Sequence, residues 1–443
     1  MSKPIYLAVA DVIENDVLAG NLRSGERMPT HRKLADTIGV TPGTVNRIYQ
    51  EAARRGLLTA VVGRGTFVTA DAGRKSSIMD VTKEELAWDM GIARPLTVAD
   101  PDLWPVIRKT LNKRRLLDLM RYSDPQGLPE HRAAGADWLT RFGLKVPPQN
   151  IVITAGAQNA LFLICNSLLK AGERVATDNL TFTGMKAAAQ RNGLRLEGVP
   201  MDSAGMLPDE LDALCRRHTI KALYVSGRIQ SPTNCEMPFT RRQELREVIR
   251  KHGLQLVEND SYGLLSRAPD RHLTALLPDE SIYIAGLSKG FAAGLRVAYV
   301  AAPPGIARKI AQGVADTMLF VPTVNAEIAS ECLRSGLAEA AILTKRDMVA
   351  RRVAMFRKIF ENHVFECLDE CMFAWLKLPP FWKGLDLETE AAKRNMRVMS
   401  SVRFAVGPTP PVEAVRVSLA GMSSAVDLRK ALTSLERLVS KLV

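Results

Sequence analysis

Apolar side chains recur at helical spacing from Pro4 to Leu18, through Ile5, Leu7, Val9, Ile13 and Val17, and Gly20 follows as a stop signal. Thr30 is a natural N-cap for a short second helix that Gly39 closes, and Thr41 with Pro42 opens a third. The third runs to Arg55; its periodicity buries Val45, Ile48, Tyr49 and Ala52 and leaves Thr44, Asn46 and Arg47 outward near its start. Beyond Gly56, the chain from Leu57 to Val68 reads as two short strands around a Gly63-Arg64-Gly65 tip, a hairpin or wing.

From Ala70 to about Glu85 the chain is polar, short of aromatics and without periodicity, which predicts a flexible linker. The organisation is therefore multidomain: a small helical body with a β-wing over 1–70, a linker over 71–87 and a large body over 88–443. In the large body, apolar runs alternate with helical segments, the pattern of an α/β fold whose mostly parallel sheet is covered on both faces. The predicted strands are Ile151 to Thr154, Arg174 to Thr177, Leu194 to Val199, Ala222 to Val225, Leu254 to Glu258, Ile282 to Ala285 and Val297 to Val300. Ligands in such folds collect at strand carboxyl ends.

A length of 443 residues fits a small module and a large one, and a composition of 47% hydrophobic and 24% charged residues is that of a globular protein. No apolar run approaches the roughly eighteen residues of a membrane span, and the amino terminus lacks a signal core, which predicts a cytoplasmic protein. The six cysteines show no metal-binding spacing; Cys367 and Cys371 would share a face if their segment is helical, with core packing the simpler reading. A formal charge of +13 points to polyanionic partners. Two helices across a tight turn, followed by a wing, form a DNA-reading arrangement. Between Arg23 and Arg64, eight Lys or Arg stand against three acids, which suits phosphate contact. The bland alternative is a small helical protein-contact domain. The basic run Arg108 to Arg121 could touch DNA or the neighbouring module, or form a solvated helix face.

Candidate chemistry gathers at the predicted strand ends. Lys289 stands just past one apolar strand, where a desolvated lysine would offer a neutral amine for Schiff-base chemistry with pyridoxal phosphate, and Arg296 follows as a phosphate partner. A strand-end lysine with its head in water is the alternative. Gly156, Ala157 and Gln158 form a small-residue turn that opens a helix, whose free N–H groups suit a phosphate. Phe182 could stack on a planar ring, Ser231 to Asn234 is a polar turn, and Glu258, Asn259, Asp260 and Tyr262 bring acid, amide and phenol together after a strand.

Two resemblances organise these readings. Gly25 to Ala35, Gly39 to Thr41, Thr44 to Tyr49 and Gly63 to Val68 resemble the winged-helix module of GntR-type bacterial transcription regulators. That resemblance implies DNA contacts from Arg32, Thr41, Thr44, Asn46, Arg47, Arg64 and Gly65. Many members carry an arginine where this chain has Pro42 or Gly43, which moves base readout onto Thr44, Asn46 and Arg47. Residues 88–443 resemble fold-type I, aminotransferase-class enzymes that use pyridoxal 5′-phosphate (PLP). Carried over, the resemblance makes Lys289 the Schiff-base lysine, and Arg296, Ser288, Gly156, Ala157 and Gln158 the phosphate cradle. Tyr122, in the run Tyr122 to Arg132, would reach the phosphate of the partner subunit. Phe182 would stack on the pyridine, Tyr262 would donate to its 3-oxygen, and Arg416 would clamp a substrate carboxylate in two parallel hydrogen bonds; an exposed strand arginine is the alternative for Arg416.

The departures from that pattern are informative. Asn259, with Asp260 one step later, takes the place of the aspartate that pairs with the pyridine nitrogen, which weakens the cofactor as an electron sink. Ser231 replaces an asparagine, Leu180 a proline, and Gly286 the first of two serines before the lysine. Together the modules resemble the MocR-type subfamily of GntR regulators. The resemblance implies a homodimeric transcription regulator that binds operator DNA and senses PLP or an amino compound; an aminotransferase with an accessory DNA-binding module is the alternative.

Overall fold

The computed structural model describes residues 4–19, 21–22, 25–61, 65–69, 72, 86–266, 272–407 and 409–441. Gly20, the wing tip at Gly63 and Arg64, and nearly all of the proposed linker lie outside the described residues. The amino-terminal body contains α1 (Ile5–Ala19), α2 (His31–Ile38), α3 (Pro42–Arg54) and the antiparallel pair β1 (Leu58–Val61) and β2 (Gly65–Val68). The boundaries of α2 and the start of α3 follow from their caps. The Thr30 hydroxyl accepts from the Lys33 N–H, Gly39 takes φ +68° and returns its N–H to the Ala35 carbonyl, and Thr41 accepts from the Thr44 N–H ahead of Pro42. Val45, Ile48, Tyr49 and Ala52 are buried against Ile13, Ala35, Leu57 and Val68, so the apolar face read from the sequence is the packed one.

An ion cluster closes this module. Arg55 donates to Asp11 and Glu14 of α1, each at 2.8 Å, and to Glu51 at 2.9 Å, while Arg54 grips Glu51 through two bonds of 2.7 Å. The hydrogen bond from Arg54 leads the causes that hold the Glu51 carboxyl down to about 2.

All seven predicted runs lie in one seven-stranded sheet of the large body. After β3 (Trp88–Asp89) come β4 (Ile151–Thr154), β5 (Arg174–Asp178) and β6 (Arg195–Val199), then a short hairpin of β7 (Met201–Asp202) and β8 (Gly205–Met206). β9 (Ile220–Ser226), β10 (Gln255–Asn259), β11 (Ser281–Gly286) and β12 (Ala298–Ala301) complete the set, in the spatial order β4-β12-β11-β10-β9-β5-β6. Only β12 runs against its neighbours, β11 and β4. β4, β11 and β12 are buried at every position, as near-continuous apolar runs require.

A second sheet, antiparallel, joins β13 (Phe365–Glu366), β14 (Phe373–Lys377), β16 (Met399–Ser400) and β17 (Ala414–Ser418), while β15 (Met396–Arg397) pairs in parallel with β3. The segment holding Cys367 and Cys371 is a turn between β13 and β14 rather than a helix, and Cys371 is fully buried. The basic run falls on α4 (Trp104–Thr110), α5 (Lys113–Leu119) and the turn after them, ahead of α6 (Pro129–Thr140). Arg108, Lys109, Lys113, Arg114 and Arg121 are exposed, but Arg115 pairs with Glu327 and Glu130.

The ion cluster of the small module sets its acid response. Glu51 titrates near 4.5 when unpaired and near 2 when folded, so its contribution is complete above about pH 4.5 and is lost as pH falls toward 2. Arg55→Ala should lower amide protection in α1 and α3 by roughly 1–3 kcal/mol at neutral pH, leaving the seven-stranded sheet unchanged. Equal protection in variant and wild type would remove the cluster from the module's stability.

Candidate cofactor and effector site

Lys289 follows β11 at the carboxyl ends of the parallel strands. Its side chain is partly accessible from the cleft, but its amine is packed into the interior and donates to the Ala93 carbonyl. Burial, then the charges of Arg416, Arg296 and Arg94, push its pKa from 10.5 down to about 8. That shift raises the neutral fraction at pH 7 on the order of 300-fold. The groups that act on the amine are all cations, so this end of the cleft is prepared for an anion.

A cradle lies beside it. Gly156, at φ +87°, precedes the 12-residue helix α7 (Ala157–Leu168), and a Cβ there would lie 2.4 Å from Nη2 of Arg296. Only glycine allows the arginine and the helix amino terminus to come this close. Arg296 donates through Nη1 to Ser288 Oγ at 2.8 Å and through Nη2 to the Ala155 carbonyl at 3.4 Å. Gln158 Nε2 is held by the Gly184 carbonyl at 2.9 Å, so what this residue offers the cradle is its first-turn backbone N–H. Phe182 precedes α8 (Thr183–Arg191), with its ring so close to Gly184 that a Cβ there would lie 2.2 Å from it.

The motif after β10 divides. Asn259 donates to the Tyr224 hydroxyl at 3.2 Å and accepts from Ser261 at 3.1 Å. Asp260 instead accepts from the Gly263 N–H at 2.8 Å and the Tyr283 hydroxyl at 2.7 Å, and Glu258 is satisfied by the backbone N–H groups of Leu273 and Thr274 and the Thr274 hydroxyl. Acid, amide and phenol are thus not gathered at one spot: the two carboxylates are committed elsewhere and Asn259 stays with Tyr224. Tyr262 is buried edge-on to Phe373 at 5.2 Å, and burial pushes its pKa up to about 12.

Arg416 is an interior residue, not an exposed strand arginine; it is 4% exposed in β17. It donates to the Gly91 carbonyl at 2.9 Å and to Ser231 Oγ at 3.4 Å, and its guanidinium lies over Phe404 at 4.8 Å and Phe373 at 5.4 Å. Its Nε has no partner among the described residues. A buried cation held by neutral groups leaves a carboxylate as the ligand with most to gain. Tyr122 is 85% exposed, with its ring edge-on to Phe320. On the small module, Arg32, Asn46, Arg47 and Gly65 are exposed, Thr44 is half-buried, and the exposed Thr41 spends its hydroxyl on the helix cap; Arg64 lies outside the described residues.

Three contributors escaped the sequence reading. Tyr224 had a signal, a phenol inside the apolar run Ala222 to Val225, whose hydroxyl needs a buried partner. The carbonyls of Gly91 and Ala93 had none, because every residue has a carbonyl.

The family aminotransferase class I and II matches residues 95–435. The chain belongs to that family. Bacterial regulatory proteins of the gntR family match residues 5–68. The chain is thus a transcription regulator of MocR-type architecture, a gntR DNA-binding module joined to an aminotransferase-like domain. It is 29% identical to the uncharacterized HTH-type transcriptional regulator YdeF of Bacillus subtilis, over 99% of this chain and 95% of that one. With the HTH-type pyridoxine biosynthesis transcriptional regulator PdxR of Corynebacterium glutamicum the identity is 27%, over 68% of this chain and 67% of the relative. An archaeal alanine:glyoxylate aminotransferase superposes with a TM-score of 0.73 at 25% identity, covering 81% of this chain and 91% of the other. Among the described residues, no helix is long and apolar enough to cross a membrane.

The family implies PLP, and the cleft of the regulator fits it. Arg296, Ser288 and the amino terminus of α7 suit the phosphate, Phe182 the ring face, and Lys289 the aldehyde end. When bound, that cofactor supplies an electrophilic carbon and an electron-withdrawing ring. The protein's part is to orient it, keep water from its inner face and hold Lys289 largely desolvated.

Uptake of PLP should therefore rise with pH through about 8, as the amine loses its proton. Arg416→Gln removes a charge that depresses this pKa, and should move the profile to higher pH. The growth of visible absorbance on mixing checks both; a rate flat across that range would contradict the desolvated amine.

Proposed function

We propose that the aminotransferase-like domain is a sensor, and that ligand held between Lys289 and Arg416 sets the affinity of the winged helix for its operator. The observation that carries this reading is Arg416, buried among neutral partners with Nε free. It favours a carboxylate-bearing amino compound, with PLP itself the other effector. The name of the pyridoxine-biosynthesis regulator supports a link to the cofactor. Asn259 favours sensing over turnover: an amide cannot stabilise a protonated ring nitrogen as a carboxylate does, and Asp260 and Glu258 are committed to other donors.

In this reading the boundaries are 1–70 for the DNA-binding module, 71–87 for the linker and 88–443 for the effector body. The body is a homodimer whose exposed Tyr122 reaches the partner's cofactor phosphate. Two winged helices then meet repeated half-sites in the cytoplasm, with Thr44, Asn46 and Arg47 at base edges and Arg32, Arg64 and Gly65 near phosphates. Phe182, Tyr262, Ser231 and the Gly156 to Gln158 turn hold the cofactor.

Two experiments test the halves separately. Operator fragments come from footprinting on genomic DNA; in a salt-matched titration, Arg47→Ala should lose about 1–3 kcal/mol of affinity, and unchanged binding would remove Arg47 from the reading surface. Purified protein should show visible PLP absorbance that Lys289→Ala abolishes, together with any effect of amino compounds on operator binding. Steady multiple turnover with an amino donor and an oxo-acid, indifferent to DNA, would sink the sensor in favour of an aminotransferase.

A further inference from the structure

The segment from Trp88 to Arg94 begins where the proposed linker ends and finishes inside the Lys289 cleft. It is fastened at its start. β3 pairs with β15, the Met90 N–H donates to the Arg397 carbonyl at 2.9 Å, and the Met90 carbonyl accepts from the Ser418 N–H at 2.7 Å. The fit there is tight, since a Cβ on Gly421 would lie 2.3 Å from the Asp89 carbonyl. The chain then crosses the cleft and contacts both of its central cations: the Gly91 carbonyl accepts from Arg416 at 2.9 Å, and the Ala93 carbonyl accepts from Lys289. Ala93, only 2% exposed, packs with Tyr262 and Phe373. Asp89 sets the shape of the turn. One oxygen accepts from the Gly91 N–H at 3.0 Å and the Ile92 N–H at 3.4 Å, and the other meets Arg94 and Arg397, both at 3.3 Å.

We propose that this strap carries the state of the site to the linker: a ligand that engages Lys289 and Arg416 takes donors from the carbonyls of Ala93 and Gly91, and the strap rearranges. The proposal rests on the sensor reading above and supplies its mechanical link. A carboxylate bonds a guanidinium through two N–H groups, and charge makes each bond roughly twice as strong as one to a neutral carbonyl. With Nε of Arg416 free and Nη2 on Gly91, the bidentate edge available to a ligand includes the group that now holds the strap. A cofactor seated at Lys289 likewise draws the amine from Ala93. Two buried carbonyls then need new partners, a cost that the strap avoids by shifting. Its amino-terminal end, β3, is continuous with the linker, so a shift that loosens the β3–β15 pairing and the Met90 bonds is delivered toward the DNA-binding module. By reciprocity, operator binding must change ligand affinity by the same factor.

The test uses the full-length protein and phosphopyridoxyl-L-alanine, a stable compound that carries phosphate, ring and carboxylate. Calorimetry establishes whether it binds; no binding would overturn the cofactor reading itself. Given binding, hydrogen exchange at the amides of residues 90–94 should change by severalfold with the compound, and unchanged exchange there would overturn the strap. Asp89→Ala removes the cap of the turn without touching the ligand groups. It should bind the compound within about threefold of wild type, while the compound's effect on operator affinity, on the order of 5-fold or more in wild type, falls close to one. Full coupling in this variant would likewise overturn the proposal. Should the variant not fold, the wild-type exchange measurement decides alone.

Discussion

The central constraint on the large domain is uncompensated positive charge at the carboxyl ends of its strands. Lys289, Arg296 and Arg416 converge there, and Arg416 lies against aromatic faces, a serine hydroxyl, a methionine sulfur and one backbone carbonyl. Burying a cation costs several kcal/mol unless it is paired. The fold offsets part of that cost locally, through cation–π contact with Phe373 and Phe404 and through depression of the Lys289 pKa. The remainder is available to an anionic ligand, which in the reading proposed above would present phosphate and carboxylate groups together.

Such a site survives only if nearby acids are kept from neutralising it. Glu258 and Asp260 are within a few residues of the site, yet Thr274 and the Leu273 N–H satisfy the first, while Tyr283 and the Gly263 N–H satisfy the second. Asn259 stays with the Tyr224 hydroxyl, a neutral pair at the place where the aminotransferase pattern has a carboxylate. The same arrangement keeps the cations free for ligand and withholds the acid that fast carbanion chemistry needs. In the sensor reading proposed above, sensing and weak catalysis would share one physical origin.

The small module follows a different economy. Its apolar core is modest, and the Arg55 cluster with Asp11, Glu14 and Glu51 ties α1 to α3. The carboxylates are drawn inward to Arg55 at the carboxyl end of α3, while Asn46 and Arg47 near its amino end remain exposed.

The sequence by itself determined the elements and their chemistry. Thr30, Gly39 and Thr41 fix helix ends through bonds to residues at most five positions away, and the central apolar runs are strands buried on both faces, with β6 part-exposed at the edge of the sheet. Lys289, Arg296 and the Gly156 turn were legible for the same reason, as short motifs with local geometry. Direction and accessibility were not. Whether Asp260 or Asn259 stays near the cleft depends on Tyr283 and Tyr224, which lie on neighbouring strands. That Arg416 is buried depends on Phe373, Phe404 and Gly91, residues far from it along the chain. Only the tertiary structure decided these, because hydrogen-bond partners across a sheet are set by strand order and register, which no local pattern of residues encodes.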